Sequence, residues 1–148
     1  MPTSQNEVRV EVVTTATADV EDAIARLLPQ LSSAPVPTRA QLEEMLSSGS
    51  TRLLLARIGE RVVGTLALVV FRIPSGLRAW IEDVVVDTEC RGKGIGETLT
   101  RAALEHARRE GARTIDLTSR PSREAANRLY QRVGFKLRDT NFYRYDIQ

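Results

Sequence analysis

Arg91-Gly92-Lys93-Gly94-Ile95-Gly96 sets three alternate glycines among two basic side chains. Glycine adopts dihedrals closed to other residues and lets a second molecule come close to the main chain. The segment follows an apolar, β-branched run at 80–86 and precedes a helical pattern that starts near Glu97. N–H groups at a helix start carry partial positive charge, so a strand, a bare loop and a helix start in that order make a cradle for a diphosphate. Neither common nucleotide signature is met: no Gly-Lys-Ser/Thr closes the loop, and no third glycine follows at the dinucleotide spacing.

Other side chains with chemical potential lie on either side of this loop. Glu82 and Asp83 are adjacent carboxylates within the apolar run, and strand alternation turns them to opposite faces. Tyr130 offers a phenol that stays protonated at neutral pH, its ordinary pKa being about 10. Asn127 stands one helical turn before it, on nearly the same face. Cys90 has no histidine near it in sequence, and the single histidine, His106, falls on the helix after the loop, so a structural role is expected for both. The chain has no cluster of His, Cys and carboxylates at ligand spacing, and no metal is expected.

The elements that must position these groups follow from periodicity. Residues 8–13 alternate as a first strand, and Val20, Ile24, Leu27, Leu28 and Leu31 repeat at helical spacing, with Pro29 making the last turn irregular. Thr38 with Gln41 reads as a capping box for a short helix that stops at Ser47-Ser48-Gly49. Strands at 52–58 and 61–71 flank a Gly59-Glu60 turn, and Pro74-Ser75-Gly76 turns the chain into a fourth strand at 80–86. A helix with Leu99, Ala102, Ala103 and Ala107 on one face ends at Gly111, and a fifth strand is expected at 114–118. Ser122 is expected to cap a helix carrying Ala125, Ala126, Leu129 and Val133, stopped by Gly134. Two last strands are predicted at 135–138 and 142–147. An antiparallel meander followed by a strand–helix–strand crossover predicts an α/β chain, with a mixed sheet covered by helices on both faces.

Two motifs in this order carry a resemblance. Arg91, Gly94 and Gly96 satisfy Arg/Gln-x-x-Gly-x-Gly/Ala between a strand and a helix, and residues 122–135 end in Leu129-Tyr130-x-x-x-Gly134-Phe135. Over nearly its whole length the chain resembles the GNAT superfamily of N-acetyltransferases. The resemblance implies a mostly antiparallel sheet of six to seven strands, with a splayed parallel pair formed by the fourth and fifth, in one N-acetyltransferase domain over 1–148. It implies acetyl-CoA as cosubstrate, its diphosphate on Arg91, Gly92, Lys93, Gly94, Ile95, Gly96 and Glu97. The pantetheine arm would lie along unpaired main chain of Val84, Val85 and Val86, with Asn127 hydrogen-bonding to it, and Tyr130 would protonate the departing thiolate. Many members carry asparagine seven residues before the tyrosine. Arg123 stands there in this chain, so that contact moves to Asn127, or Arg123 meets cofactor phosphate.

The implied reaction is direct transfer of acetyl to a primary amine of a small molecule or peptide, without a covalent enzyme intermediate. An alkylammonium has a pKa near 10, so a base must take its proton. Glu82 is the choice, with Asp83 or water as the other options, because Thr118 or Ser119 occupies the place where some relatives carry a fifth-strand glutamate. Residues 81–86 look like their counterpart in glucosamine-phosphate N-acetyltransferases, a likeness too common among strands to fix the acceptor. The alternative function is a non-catalytic acetyl-CoA-binding sensor or regulatory module.

Bulk properties narrow the setting. Residues 1–90 carry 8 basic and 12 acidic side chains, whereas 91–148 carry 13 and 7, so the half with the glycine loop is the one that attracts a polyanion. Nucleic acid is not expected as a partner, since no aromatic residue is interleaved with the basic ones from Arg91 to Arg128. No stretch approaches the roughly 18 apolar residues of a membrane span, and no basic-then-apolar leader opens the chain, so a cytoplasmic protein without membrane association is expected. Edge strands and a terminal hairpin bearing Phe142, Tyr143 and Tyr145 suggest a homodimer.

Overall fold

Leucine and valine at alternate positions build the centre of the molecule. In the computed structural model, which describes residues 7–148, strands β1 (Val8–Val13), β2 (Thr51–Ile58), β3 (Arg61–Ile73) and β4 (Gly76–Val86) form an antiparallel meander. The short β5 (Ile115–Asp116) joins β4 in parallel, completing a sheet of order β1-β2-β3-β4-β5. The mixed α/β class matches the sequence expectation, with five strands among the described residues in place of six to seven. The chain divides into two compact units, one up to Thr118 and one from Ser119 to Gln148.

In the first unit, α1 (Ala18–Leu27) starts at Thr17, whose hydroxyl accepts the Val20 N–H at 3.3 Å, and runs into a 3-10 turn at Leu28–Gln30 as Pro29 demands. The capping box ahead of α2 (Arg39–Ser47) is present: Gln41 N donates to Thr38 Oγ1 at 3.2 Å and Thr38 N to Gln41 Oε1 at 2.9 Å. Val20, Ala23, Ile24, Leu27 and Leu42 from these helices share one core with Leu53, Leu55, Val62 and Val85 of the sheet. The opposite face takes α3 (Ile95–Glu110). A Cβ on Gly64 would stand 3.0 Å from Leu99 Cδ1 and 3.1 Å from Ile95 Cγ2, so the missing side chain is what lets α3 sit this close. Leu66 and Leu68 share that face by alternation and are fully buried.

In the second unit, α4 (Glu124–Val133) ends at Gly134, and Tyr130 meets Phe135 edge-on with ring centroids 5.8 Å apart. Gly134 N and Phe135 N both return to Tyr130 O, at 3.2 and 2.9 Å.

Several expectations are corrected. Arg123, not Ser122, occupies the cap of α4, because a turn closed by Arg123 N to Arg120 O at 3.0 Å delays the helix by one residue. Residues 135–138 and 142–147 form no strand, and no described strand pairs with them. Alternating aromatic and polar residues supply the pattern of a strand, but a strand exists only where an edge accepts its hydrogen bonds. Helix α3 begins at Ile95 rather than near Glu97, so Gly96 is helical and Gly94 is the residue that turns the chain. Strand β5 is shorter than 114–118, and β4 longer than 80–86.

Candidate active site

Between β4 and α3 the chain makes three local moves. Asp87 Oδ1 accepts the Glu89 N–H at 3.1 Å and Asp87 O the Cys90 N–H at 2.8 Å, closing a 3-10 turn at Thr88–Cys90. Arg91 is extended, and Gly92 and Gly94 then take φ of +82° and +74°. A Cβ at either glycine would meet nothing within 4 Å, so it is the left-handed backbone and not tight packing that selects glycine. The main chain is left bare and the whole segment 91–94 is exposed. No side chain caps α3, whose first-turn N–H groups are the ones an anion would complete. A diphosphate therefore fits this place by its space, its donors and the adjacent Arg91 and Lys93.

The entry to the loop is clamped. Asp87 is 2% exposed, and its Oδ2 lies 2.6 Å from Arg26 Nη1 and 3.2 Å from Arg61 Nη2. Arg26 also donates to Val62 O, and Gln30 Oε1 accepts the Thr88 N–H at 3.0 Å, so α1 and its 3-10 turn hold the end of β4. Burial pushes the Asp87 carboxyl up, but the Glu89 N–H and the Arg61 and Arg26 guanidiniums outweigh it and hold the group below the usual carboxylate range.

The length of β4 beyond its pairing with β5 is the second feature. Thr65 pairs with Val85 and Ala67 with Glu82, so Leu66 alone faces both Asp83 and Val84. This is a β-bulge, and Asp83 takes a left-handed φ of +49° within it. Ala79 N donates to Thr114 O and Leu77 O accepts from Arg113 N, both at 2.9 Å, so the main chain of Leu77, Ala79 and, by alternation, Ile81 turns toward β5. Pairing with β5 stops at Trp80. Beyond the bulge, Asp87 N donates to Val63 O at 2.9 Å, which puts the Val85 main chain on the β3 side and those of Val84 and Val86 on the outer edge. Of the three valines, Val84 and Val86 thus present main-chain groups along the edge, while Val85 packs in the core and pairs with β3.

The face is set by register. Glu82 lies opposite Ala67 and Trp80 opposite Val69, and Ala67 in turn lies opposite Leu53, a member of the core beneath α1 and α2. Glu82 and Trp80 therefore stand on the α1/α2 face and Ile81 on the α3 face. Trp80 Nε1 donates to Glu82 Oε1 at 2.7 Å. Asp116, in register with Trp80, shares their face. Sequence reasoning passed over Trp80 and Asp116, and alternation along each strand was the signal for both, usable only once the register was known.

Tyr130 and Asn127 belong to the second unit. Tyr130 is buried, and that burial raises its phenol above the ordinary tyrosine value against a smaller opposing pull from Arg123. Asn127 Nδ2 donates to Arg120 O at 2.9 Å and Arg123 O at 2.8 Å, so both amide protons hold the turn before α4 and only its carbonyl oxygen is left to accept a hydrogen bond. The Ser119 hydroxyl is buried without a hydrogen-bond partner. His106 Nε2 lies 3.0 Å from Glu110, which also receives Arg52, and Cys90 is buried; neither is arranged as a nucleophile with its base.

A bare glycine loop at a helix start, fed by a bulged strand with an open edge, defines a class. The Acetyltransferase (GNAT) family model matches residues 19–135, and the chain belongs to that family. It is an acyltransferase of a family that uses acetyl-CoA as cosubstrate. It is 34% identical over 128 residues to glucosamine 6-phosphate N-acetyltransferase 1 of Oryza sativa subsp. japonica, covering 80% of this chain and 76% of that one. N-acetyltransferase 8B of Homo sapiens is 32% identical over 100 residues, covering 66% of this chain and 44% of the human one, so the chain spans less than half of that relative. An aminoglycoside acetyltransferase from an uncultured soil metagenomic sample shares the fold, with a TM-score of 0.80 at 18% identity over 95% of this chain and 97% of that one.

Proposed function

We propose that this enzyme transfers the acetyl group of acetyl-CoA directly to a primary amine of a small molecule or peptide. The observation that carries this reading is the continuity of the open β4 edge with the uncapped start of α3. Main-chain N–H groups at 91–97, with Arg91 and Lys93, hold the diphosphate; the edge at Val84 and Val86 receives the amide-bearing pantetheine arm as an added strand would be received. A main-chain N–H beside the Asp83 bulge is the donor that polarises the thioester carbonyl and stabilises the oxyanion.

In the reaction, Glu82 takes a proton from the acceptor ammonium, and the neutral amine attacks the thioester carbon. A C–N bond forms, the C–S bond breaks, and Tyr130 gives its proton to the thiolate as coenzyme A leaves; the second proton of the attacking nitrogen passes to solvent, from which Tyr130 is reprotonated. The phenol is in its donating form at neutral pH, as an ordinary tyrosine is, with burial raising it further above the usual value. No acyl-enzyme is formed.

Glucosamine 6-phosphate is the first acceptor to try, because the rice relative is named for it. The test is calorimetry with acetyl-CoA followed by thiol release with that sugar, aminoglycosides, polyamines and peptide N-termini. Binding with turnover of at least one amine is expected. Binding with no thiol release from any of them would replace the enzyme reading with that of a sensor, and absence of binding at millimolar acetyl-CoA would remove both.

A further inference from the structure

A carboxylate on an exposed strand face is a poor base unless something holds it. Glutamate has three side-chain torsions, and ordering them costs rotamer freedom. Glu82 is exposed, whereas Trp80, two residues earlier on the same face of β4, is partly buried. The indole N–H is a donor only, so it holds a carboxylate oxygen without competing for the proton that oxygen's partner receives.

We propose that Trp80 is a positioning residue for the acceptor step. Its Nε1–H, 2.7 Å from Glu82 Oε1, fixes that oxygen and presents Oε2 to the acceptor ammonium, immediately before the Asp83 bulge. The inference rests on Glu82 being the base, as read above. The arrangement is a property of the strand itself: residues 80 and 82 fall on one face, and the bulge at 83 breaks the alternation directly after them.

Trp80 is the single tryptophan, so its indole N–H gives one resonance in a proton–nitrogen correlation spectrum of the full chain. Glu82→Ala should move that resonance upfield and speed its exchange with water; an unchanged resonance overturns the pair even where no amine has been found. The kinetic arm uses acetyl-CoA with glucosamine 6-phosphate as probe. Trp80→Phe keeps a ring and deletes the donor, and should lower kcat about tenfold with KM for acetyl-CoA unchanged. In a Glu82→Gln background the same change should alter kcat by no more than about twofold. Losses that multiply instead overturn the positioning role, since Trp80 would then act independently of Glu82. Wild-type kcat in Glu82→Gln alone removes the base reading, a failure distinguishable from the first because the indole resonance still responds to Glu82→Ala.

Discussion

Tyr130, the donor in the proposed reaction, is a buried phenol. Tyr130→Phe is expected to lower kcat about a hundredfold, within the usual range for general-acid catalysis, while calorimetry shows the same acetyl-CoA affinity. Turnover unchanged by the substitution would assign the acid elsewhere. Because the folded phenol titrates above the ordinary value of about 10, the unfolded chain loses its proton first as pH rises, and this contribution to stability is lost as pH climbs through the folded value. The urea midpoint of wild type should therefore fall relative to that of Tyr130→Phe as pH rises above about 10. Asp87 behaves in the opposite sense. Its lowered pKa means a contribution present above the unfolded value of about 3.9 and lost as pH falls through the folded one. Asp87→Asn should cost about 1–3 kcal/mol at pH 7, at the lower end because Arg26 and Arg61 are partly solvated, and the gap should close in acid. Tyr130 was legible from its motif. Asp87 was not, since its partner Arg26 lies 61 residues away in sequence.

At the scale of elements, the strand–loop–helix unit could be read directly because glycine is the cheapest way to place a left-handed residue at a helix start. Its boundary was misjudged by two residues, since Gly96 continues the helix instead of delaying it. Gly94→Ala separates fold from function. The new methyl meets no protein atom, so the cost to folding is the left-handed strain alone, about 1–2 kcal/mol by thermal or urea unfolding. The same methyl stands where a diphosphate would approach the main chain, and acetyl-CoA affinity should drop about tenfold or more, which calorimetry reads. Full affinity in that variant would move the phosphate site off the loop. The β4 bulge was not legible, because nothing in Glu82-Asp83-Val84 marks an extra residue; aspartate at a left-handed φ is tolerated, not demanded.

At the scale of the molecule, the net positive charge of residues 91–148 favours a polyanionic cosubstrate, but not every arginine contributes equally. Arg101, Arg108 and Arg109 pair with glutamates on α3 itself, whereas Arg91 and Lys93 stand exposed at the loop. Raising NaCl from about 0.1 to about 1 M shortens the screening length from about 10 to about 3 Å, and KM for acetyl-CoA should rise severalfold with kcat little changed. A KM indifferent to salt would show that the field plays no part. By itself the sequence determined the order of strands and helices through the first 118 residues, the capping box of α2, the glycine loop and the family, because these depend on periodicity and on backbone chemistry local to a few residues. Tertiary structure alone decided which face carries Glu82 beside Trp80, which valines of β4 turn to the open edge, how Asp87 is neutralised, and that residues 135–148 make no strand. All four depend on register and partners set by residues distant in the chain, where a shift of one position reverses every side chain.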